Sequence, residues 1–240
     1  MCIRDRPPTL LKDWQVAAKG FAFKEAFGTA NQVRPDLGFK TSIVHVKERR
    51  RLTPQNYDRN IFHIEFDLGN SGVTYAIGEA LGIHAENDEA QVEEFIKWYG
   101  LNPNEVVEVP SRDDPNVLVN RTVYQSLMQN VDIFGRPPKR FYESLAEFAD
   151  DEREKRELLQ LLSAEGATEF KRRAEVDTVT YADILLEFPS AHPSFHDIVR
   201  IVNPMKRREY SIASAQHVTP NSVSLLIVTC LLYTSPSPRD

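Results

Sequence analysis

RREYSIAS, residues 207–214, is followed after a polar turn by the alternating apolar residues Val223, Leu225 and Ile227. Both runs read as β-strands, in which residues two apart share a face. Arg208 and Tyr210 therefore point the same way, with Ser211 on the adjoining edge. A guanidinium grips phosphate through two parallel hydrogen bonds, and a phenol covers an aromatic ring. A ligand with both a heteroaromatic ring and a pyrophosphate engages all three side chains, and flavin adenine dinucleotide (FAD) has both. Alone, three such residues are better explained by an ordinary surface strand.

Upstream of this strand pair the apolar residues recur at helical spacing. Helices are expected over Asn87–Gly100, Arg121–Asn130, Lys139–Ala149, Asp151–Ser163, Ala167–Ala174, Tyr181–Phe188 and Ser194–Val202. Asn87 or Asp88 caps the first, whose buried stripe is Val92, Phe95, Ile96 and Tyr99. Glu105–Val109 reads as a short extended stretch and Ser111–Asn116 as a polar loop. The charge-dense run DDEREKRELLQLL, residues 150–162, reads as an exposed helix. It pairs Asp151 with Lys155 and Glu152 with Arg156 and buries Leu158, Leu161 and Leu162. His192 and His196 stand four apart beside Asp197, but Pro193 starts a helix between them, so no metal site is assigned.

Still further upstream the period changes to two. Strands are expected over Ile43–Lys47 and Ile61–Leu68, with shorter ones at Val73–Ala76 and Ala80–His84. In the second, Phe62, Ile64, Phe66 and Leu68 form an apolar face, and His63, Glu65 and Asp67 a polar one on which His45 and His63 are placed to meet. Residues 7–40 carry one amphipathic helix marked by Leu11, Trp14, Val16, Ala17 and Phe21. The order is thus strands, helices, strands. Neither β part makes a sheet alone, and unpaired edges are costly. The expected fold class is α+β: an antiparallel β-barrel, incomplete in this chain and interrupted by an all-helical connecting domain. The boundaries are 7–40 for an N-terminal helical segment, 41–86 for the first barrel part, 87–204 for the helical domain and 205–229 for the second barrel part. MCIRDR (1–6) and CLLYTSPSPRD (230–240) read as linker-derived sequence, and the chain as an internal fragment of a longer protein.

Composition narrows the function classes. With 35 acidic and 29 basic residues the chain carries a net charge of −6, which argues against a nucleic-acid footprint. Its two cysteines, Cys2 and Cys230, lie at the extreme ends, so no disulfide framework or metal cluster is expected. The apolar run Val223–Tyr233 is too short to span a bilayer. A cytoplasmic address follows, without membrane or nucleic-acid partners.

Pro204–Val228 resembles the flavin-binding strand pair of the ferredoxin-NADP-reductase-like diflavin reductases, whose motif reads R-x-Y-S-I-A-S. The resemblance runs through nearly all of residues 12–228, including YDRNIFHIEFD (57–67), IGEALGIH (77–84), DIFGRPPKRFYESLAEFA (132–149) and TYADILLEFPSAHPSFHDIVRIV (180–202). Within the family it lies nearest the branch that serves sulfite reduction. The resemblance implies electron flow from NADPH through FAD to FMN and on to a haemoprotein subunit that reduces sulfite. FMN and NADPH would be held by other domains of the parent protein. It also implies roles: Tyr210 against the isoalloxazine, Ser211 near its reactive nitrogen, Arg208 on the pyrophosphate, and Leu226, Ile227 and Val228 lining the flavin through main chain and shape. Arg59 falls where some relatives hold the nucleotide's phosphate, and Glu79 replaces a customary aspartate. No catalytic side chain is assigned. No glycine-rich helix start or dinucleotide-binding fingerprint is present, so the chain is expected to bind FAD poorly and to reduce nothing by itself. The rival readings are a reductase serving another haemoprotein acceptor, and a non-catalytic helical adaptor in which RREYSIAS is only an edge strand.

Overall fold

A computed structural model describes residues 42–111 and 117–229 of the 240. The N-terminal helix expected within 7–40, most of the polar loop 111–116 and both suspect ends lie outside the described residues. Among those described are seven strands and seven helices in a mixed α/β order, three strands before the helical block, two within it and two after it. The strands are β1 (His45–Arg51), β2 (Asn60–Asp67), β3 (Ala80–Ile83), β4 (Val106–Pro110), β5 (Leu118–Thr122), β6 (Arg208–Ser211) and β7 (Ser222–Thr229). The helices are α1 (Glu89–Tyr99), α2 (Val123–Gln129), α3 (Lys139–Ala146), α4 (Glu152–Leu162), α5 (Ala167–Glu175), α6 (Tyr181–Glu187) and α7 (Phe195–Ile201).

The helices begin where side chains satisfy the first free N–H groups. Asp88 accepts from the Gln91 amide at α1, and Gly100, at φ 72°, closes that helix by donating to the Ile96 carbonyl. Thr122 with Gln125 and Thr180 with Asp183 form capping boxes at α2 and α6. Asp151 caps α4 through the Arg153 and Glu154 amides. The expected ion pairs on α4 do not form: Asp151 is engaged as the cap, and Arg156 donates instead to the Glu152 main-chain carbonyl at 3.0 Å. The expected helix from Arg121 starts two residues later, because Arg121 and Thr122 complete a strand before the cap.

The helical block is not all helix. β4 and β5 form an antiparallel hairpin inside it, with Val109 opposite Val119, and the valines Val107, Val109 and Val119 are buried against the helices. The hydrophobic core lies here, running from Val92 and Phe95 on α1 through Leu127, Phe141, Tyr142 and Leu145 to Tyr181, Ile184 and Ile198. Tyr99 fastens α1 to the segment before α7, its hydroxyl donating to the Pro193 carbonyl at 2.8 Å.

The remaining strands form two antiparallel sheets, β1–β2–β7 and β3–β6. Residues 60–67 pair with 222–229, and 80–83 with 208–211, so segments separated by the whole helical block are hydrogen-bonded to each other. The barrel expected from the strand pattern is not closed among the described residues: the two sheets are joined beside the isolated bridge Ile212–Leu225 and the adjacent Ala213–Ser224 hydrogen bond. His45 does not meet His63, because the antiparallel register sets His45 opposite Asp67, four residues further along β2, and His63 opposite Arg50. Val73–Ala76 joins no ladder. The Gln216 side chain takes the place of a partner strand there, accepting from the Tyr75 amide at 2.8 Å and donating to the Val73 carbonyl at 3.5 Å.

Candidate functional site: a fork between two strands

β6 and β7 meet at Ile212 and Leu225 and then part. β6 leaves to pair with β3, setting Arg208 opposite Ile83, Tyr210 opposite Leu81 and Ser211 opposite Ala80. β7 leaves to pair with β2, setting Leu226 opposite His63, Ile227 opposite Phe62 and Val228 opposite Ile61. The result is a fork whose two arms carry six of the seven residues singled out from the sequence.

On the β6 arm Arg208 and Ser211 are exposed and Tyr210 is half-buried. Among the described residues Arg208 makes no ion pair and the Tyr210 hydroxyl no hydrogen bond, so both polar groups are available to a ligand. Nearby, burial raises the carboxyl pKa of Asp132, and the Arg208 charge only partly offsets that rise. The carboxyl is packed against Gly135, where a Cβ would overlap it. On the β7 arm the pleat turns Leu225 fully inward and Leu226 and Val228 outward, at 51 % and 52 % exposure, with Ile227 half-buried between them. Arg59 is not on the fork. It stands exposed in the β1–β2 connection, where its carbonyl accepts from Thr53 Oγ1 at 2.8 Å, beside Asn60, which pairs with Thr229.

The crotch of the fork contains residues the motif did not single out. The Tyr75 hydroxyl lies 2.8 Å from Ser214 Oγ and donates to the Ser222 carbonyl at 2.8 Å. Ser214 Oγ accepts the Ser224 amide at 2.9 Å, and the Ala213 amide reaches the Ser224 carbonyl at 2.8 Å. Glu79, in the position of the customary aspartate, closes its own turn by accepting the Ala76 amide at 2.9 Å, and its carbonyl takes the Ile212 amide. Tyr75 has no local signal in the sequence, since its partners lie about 140 residues away. A cleft of about 190 Å³, lined by Phe95, Trp98, Phe134 and Leu186 among others, belongs to the helical block and shares no residue with the fork.

The donor set fits a flavin dinucleotide: an unpaired guanidinium, an aromatic face and a hydroxyl on one arm, an apolar edge on the other. Residues 34–237 match the family described as FAD binding domain. The chain belongs to that family. It is 56 % identical over 211 residues to the sulfite reductase [NADPH] flavoprotein component of Saccharomyces cerevisiae, covering 88 % of this chain and 20 % of that protein. To the probable sulfite reductase [NADPH] flavoprotein component of Schizosaccharomyces pombe it is 52 % identical over 216 residues, covering 90 % and 22 %. An NADPH–cytochrome P450 reductase of Dictyostelium discoideum is 29 % identical over 210 residues, covering 85 % and 31 %. The chain thus spans about a fifth of the length of the two fungal relatives it matches. No helix among the described residues is long and apolar enough to cross a membrane.

Proposed function

We propose that this chain is the FAD-binding and connecting part of an NADPH-dependent sulfite reductase flavoprotein component. In the parent protein electrons would pass from NADPH by way of FAD and FMN to a sulfite-reducing haemoprotein subunit, in the cytoplasm. The observation that carries the reading is the fork, with Arg208, Tyr210 and Ser211 on one arm and the exposed Leu226 and Val228 on the other. The identity to two fungal flavoprotein components supports the choice of acceptor. In this reading the β1–β2–β7 and β3–β6 sheets are two walls of one barrel.

FAD, when bound, supplies a centre that takes up hydride and gives up single electrons. The chain's own work is binding and orientation. Arg208 neutralises the diphosphate through charge-assisted hydrogen bonds, Tyr210 covers one face of the ring, and Ser211 offers a hydroxyl at its edge. Leu226, Ile227 and Val228 exclude water from the opposite side, and Arg59 meets the phosphate of the nicotinamide nucleotide. The helical block, 87–204, holds the flavin-bearing parts in relative position.

Titrating FAD into the full-length parent protein and into its Arg208→Ala and Tyr210→Ala variants tests this directly. Each variant should weaken binding about tenfold, as losing hydrogen bonds to a charged group costs about 1.5–3 kcal/mol and losing an aromatic contact about 0.5–1.5 kcal/mol beyond the area it buries. The far-ultraviolet circular dichroism should stay unchanged. Identical titrations for all three proteins would leave RREYSIAS as an edge strand and favour the adaptor.

A further inference from the structure

The two arms of the fork are set by a hydrogen-bond relay that no motif assigns, and we infer that Tyr75 is the residue that positions the flavin-binding strands relative to each other. The inference rests on the fork being a flavin site. Each of the relay's groups has one role. Ser214 Oγ accepts the Ser224 amide at 2.9 Å and turns its proton to the Tyr75 oxygen at 2.8 Å, which leaves the phenol proton for the Ser222 carbonyl at 2.8 Å. Such a chain polarises along its length and resists the loss of any member. The Ser222 carbonyl also accepts the Thr219 hydroxyl, but at 3.5 Å, so losing the phenol removes the shorter of these two bonds at a buried residue.

Position gives the relay its consequence. Ser214 is three residues beyond Ser211, and Ser222 is four before Leu226. The bonds therefore fix where β6 ends and where β7 begins, next to the point at which the arms diverge. A second contact keeps the phenol in place: the Gln216 side chain holds the Tyr75 amide at 2.8 Å. Beyond the Ile212–Leu225 bridge β6 and β7 pair with different partners, so the angle between Tyr210 and the Leu226–Val228 edge is set at this crotch. Tyr75 is a positioning residue that acts through Ser214 and Ser222.

The test compares Tyr75→Phe with Tyr99→Phe in the full-length parent protein. Tyr99 loses an equally short hydroxyl bond, to Pro193, but in the helical block. Three quantities are read: FAD affinity, the visible circular dichroism of bound flavin, and hydrogen exchange at the Ala213 and Ser224 amides. Tyr75→Phe should weaken FAD about tenfold, the effect of one lost buried hydrogen bond. It should also alter the flavin dichroism and speed exchange at both amides. Tyr99→Phe should lower the melting temperature and change none of the three. Unaltered dichroism, affinity and exchange in Tyr75→Phe, or equal changes in both variants, would overturn the inference. Faster exchange in Tyr75→Phe together with no FAD binding by the unsubstituted full-length parent protein would sustain the relay as the fork's pin and overturn the flavin reading instead.

Discussion

The clearest single-residue constraint is at Gly135, in the turn that leads into α3. A Cβ there would overlap the Asp132 carboxyl, which burial already holds at a raised pKa beside Arg208. Gly135→Ala should therefore lower the denaturation midpoint by forcing that carboxyl out. Asp132→Ala in the same chain should recover part of the loss, because the clash partner is gone. A double-mutant cycle by urea denaturation should give a coupling of about 0.5–3 kcal/mol, and strict additivity would show that the carboxyl is not what Gly135 accommodates. Residues of this kind are half legible. DIFG announces a turn, but the company of Arg208, 76 positions later, is known only once the chain is folded.

At the scale of elements, α5 shows a helix held by charge. It buries no residue fully. Glu169 accepts from Arg172 at 2.7 and 2.9 Å and from Arg173 at 3.1 Å, and Arg173 reaches across to Glu187 on α6 at 2.6 and 2.7 Å. Hydrogen bonds from Arg172, and then from Arg173, bring the Glu169 pKa down to about 2 from 4.5. A carboxyl depressed in the folded state adds stability that is present above its unfolded pKa and fades as pH falls through the folded one. The window is therefore pH 4.5 to 2. Thermal melts across that window should show a steeper acid loss for the native chain than for Glu169→Gln. Parallel curves would mean that solvent screens the network to nothing.

The helix boundaries follow from caps and stripes that are local in sequence, which is why α1 and α4–α7 lie within a residue or so of their expected ends. The β4–β5 hairpin illustrates the opposite case. Leu118–Thr122 carries Asn120 and Arg121 in its middle and directly precedes a capping box, so periodicity assigns its end to the helix. Pairing with Val106–Pro110 overrides that preference by burying valines on both strands.

Across the molecule, stability is unevenly placed. The contiguous core joins the helices to β4 and β5 and includes no residue of β1, β2 or β7. The three-stranded sheet buries chiefly Leu68, Val223 and Leu225, while β1 is an exposed edge strand. Its charges, Lys47, Glu48, Arg49, Arg50 and Arg51, discourage further strand pairing. Lys47 pairs with Glu65 at 2.8 Å, and Arg49 lies 4.7 Å from the centre of the Phe62 ring. Native-state hydrogen exchange should therefore open β1 and β2 at lower free energy than α1, α3 and α6, since opening cost follows buried apolar contact. Uniform protection across sheet and helices would contradict that order.

Read by itself, the amino-acid order determined the helices of the central block and the strands β2, β3, β6 and β7, where most helices start, and which short motif carries a guanidinium, a phenol and a hydroxyl on one strand. All of these depend on neighbours within a few residues, through 3.6- and 2-residue periods and caps. Only the tertiary structure decided that β2 pairs with β7 and β3 with β6, that β6 and β7 diverge into a fork, that Arg59 stands off it, and that Tyr75 ties its crotch. The strand pairings and the Tyr75 tie rest on hydrogen bonds between groups more than a hundred residues apart, and no local period encodes which distant strand will satisfy a given edge.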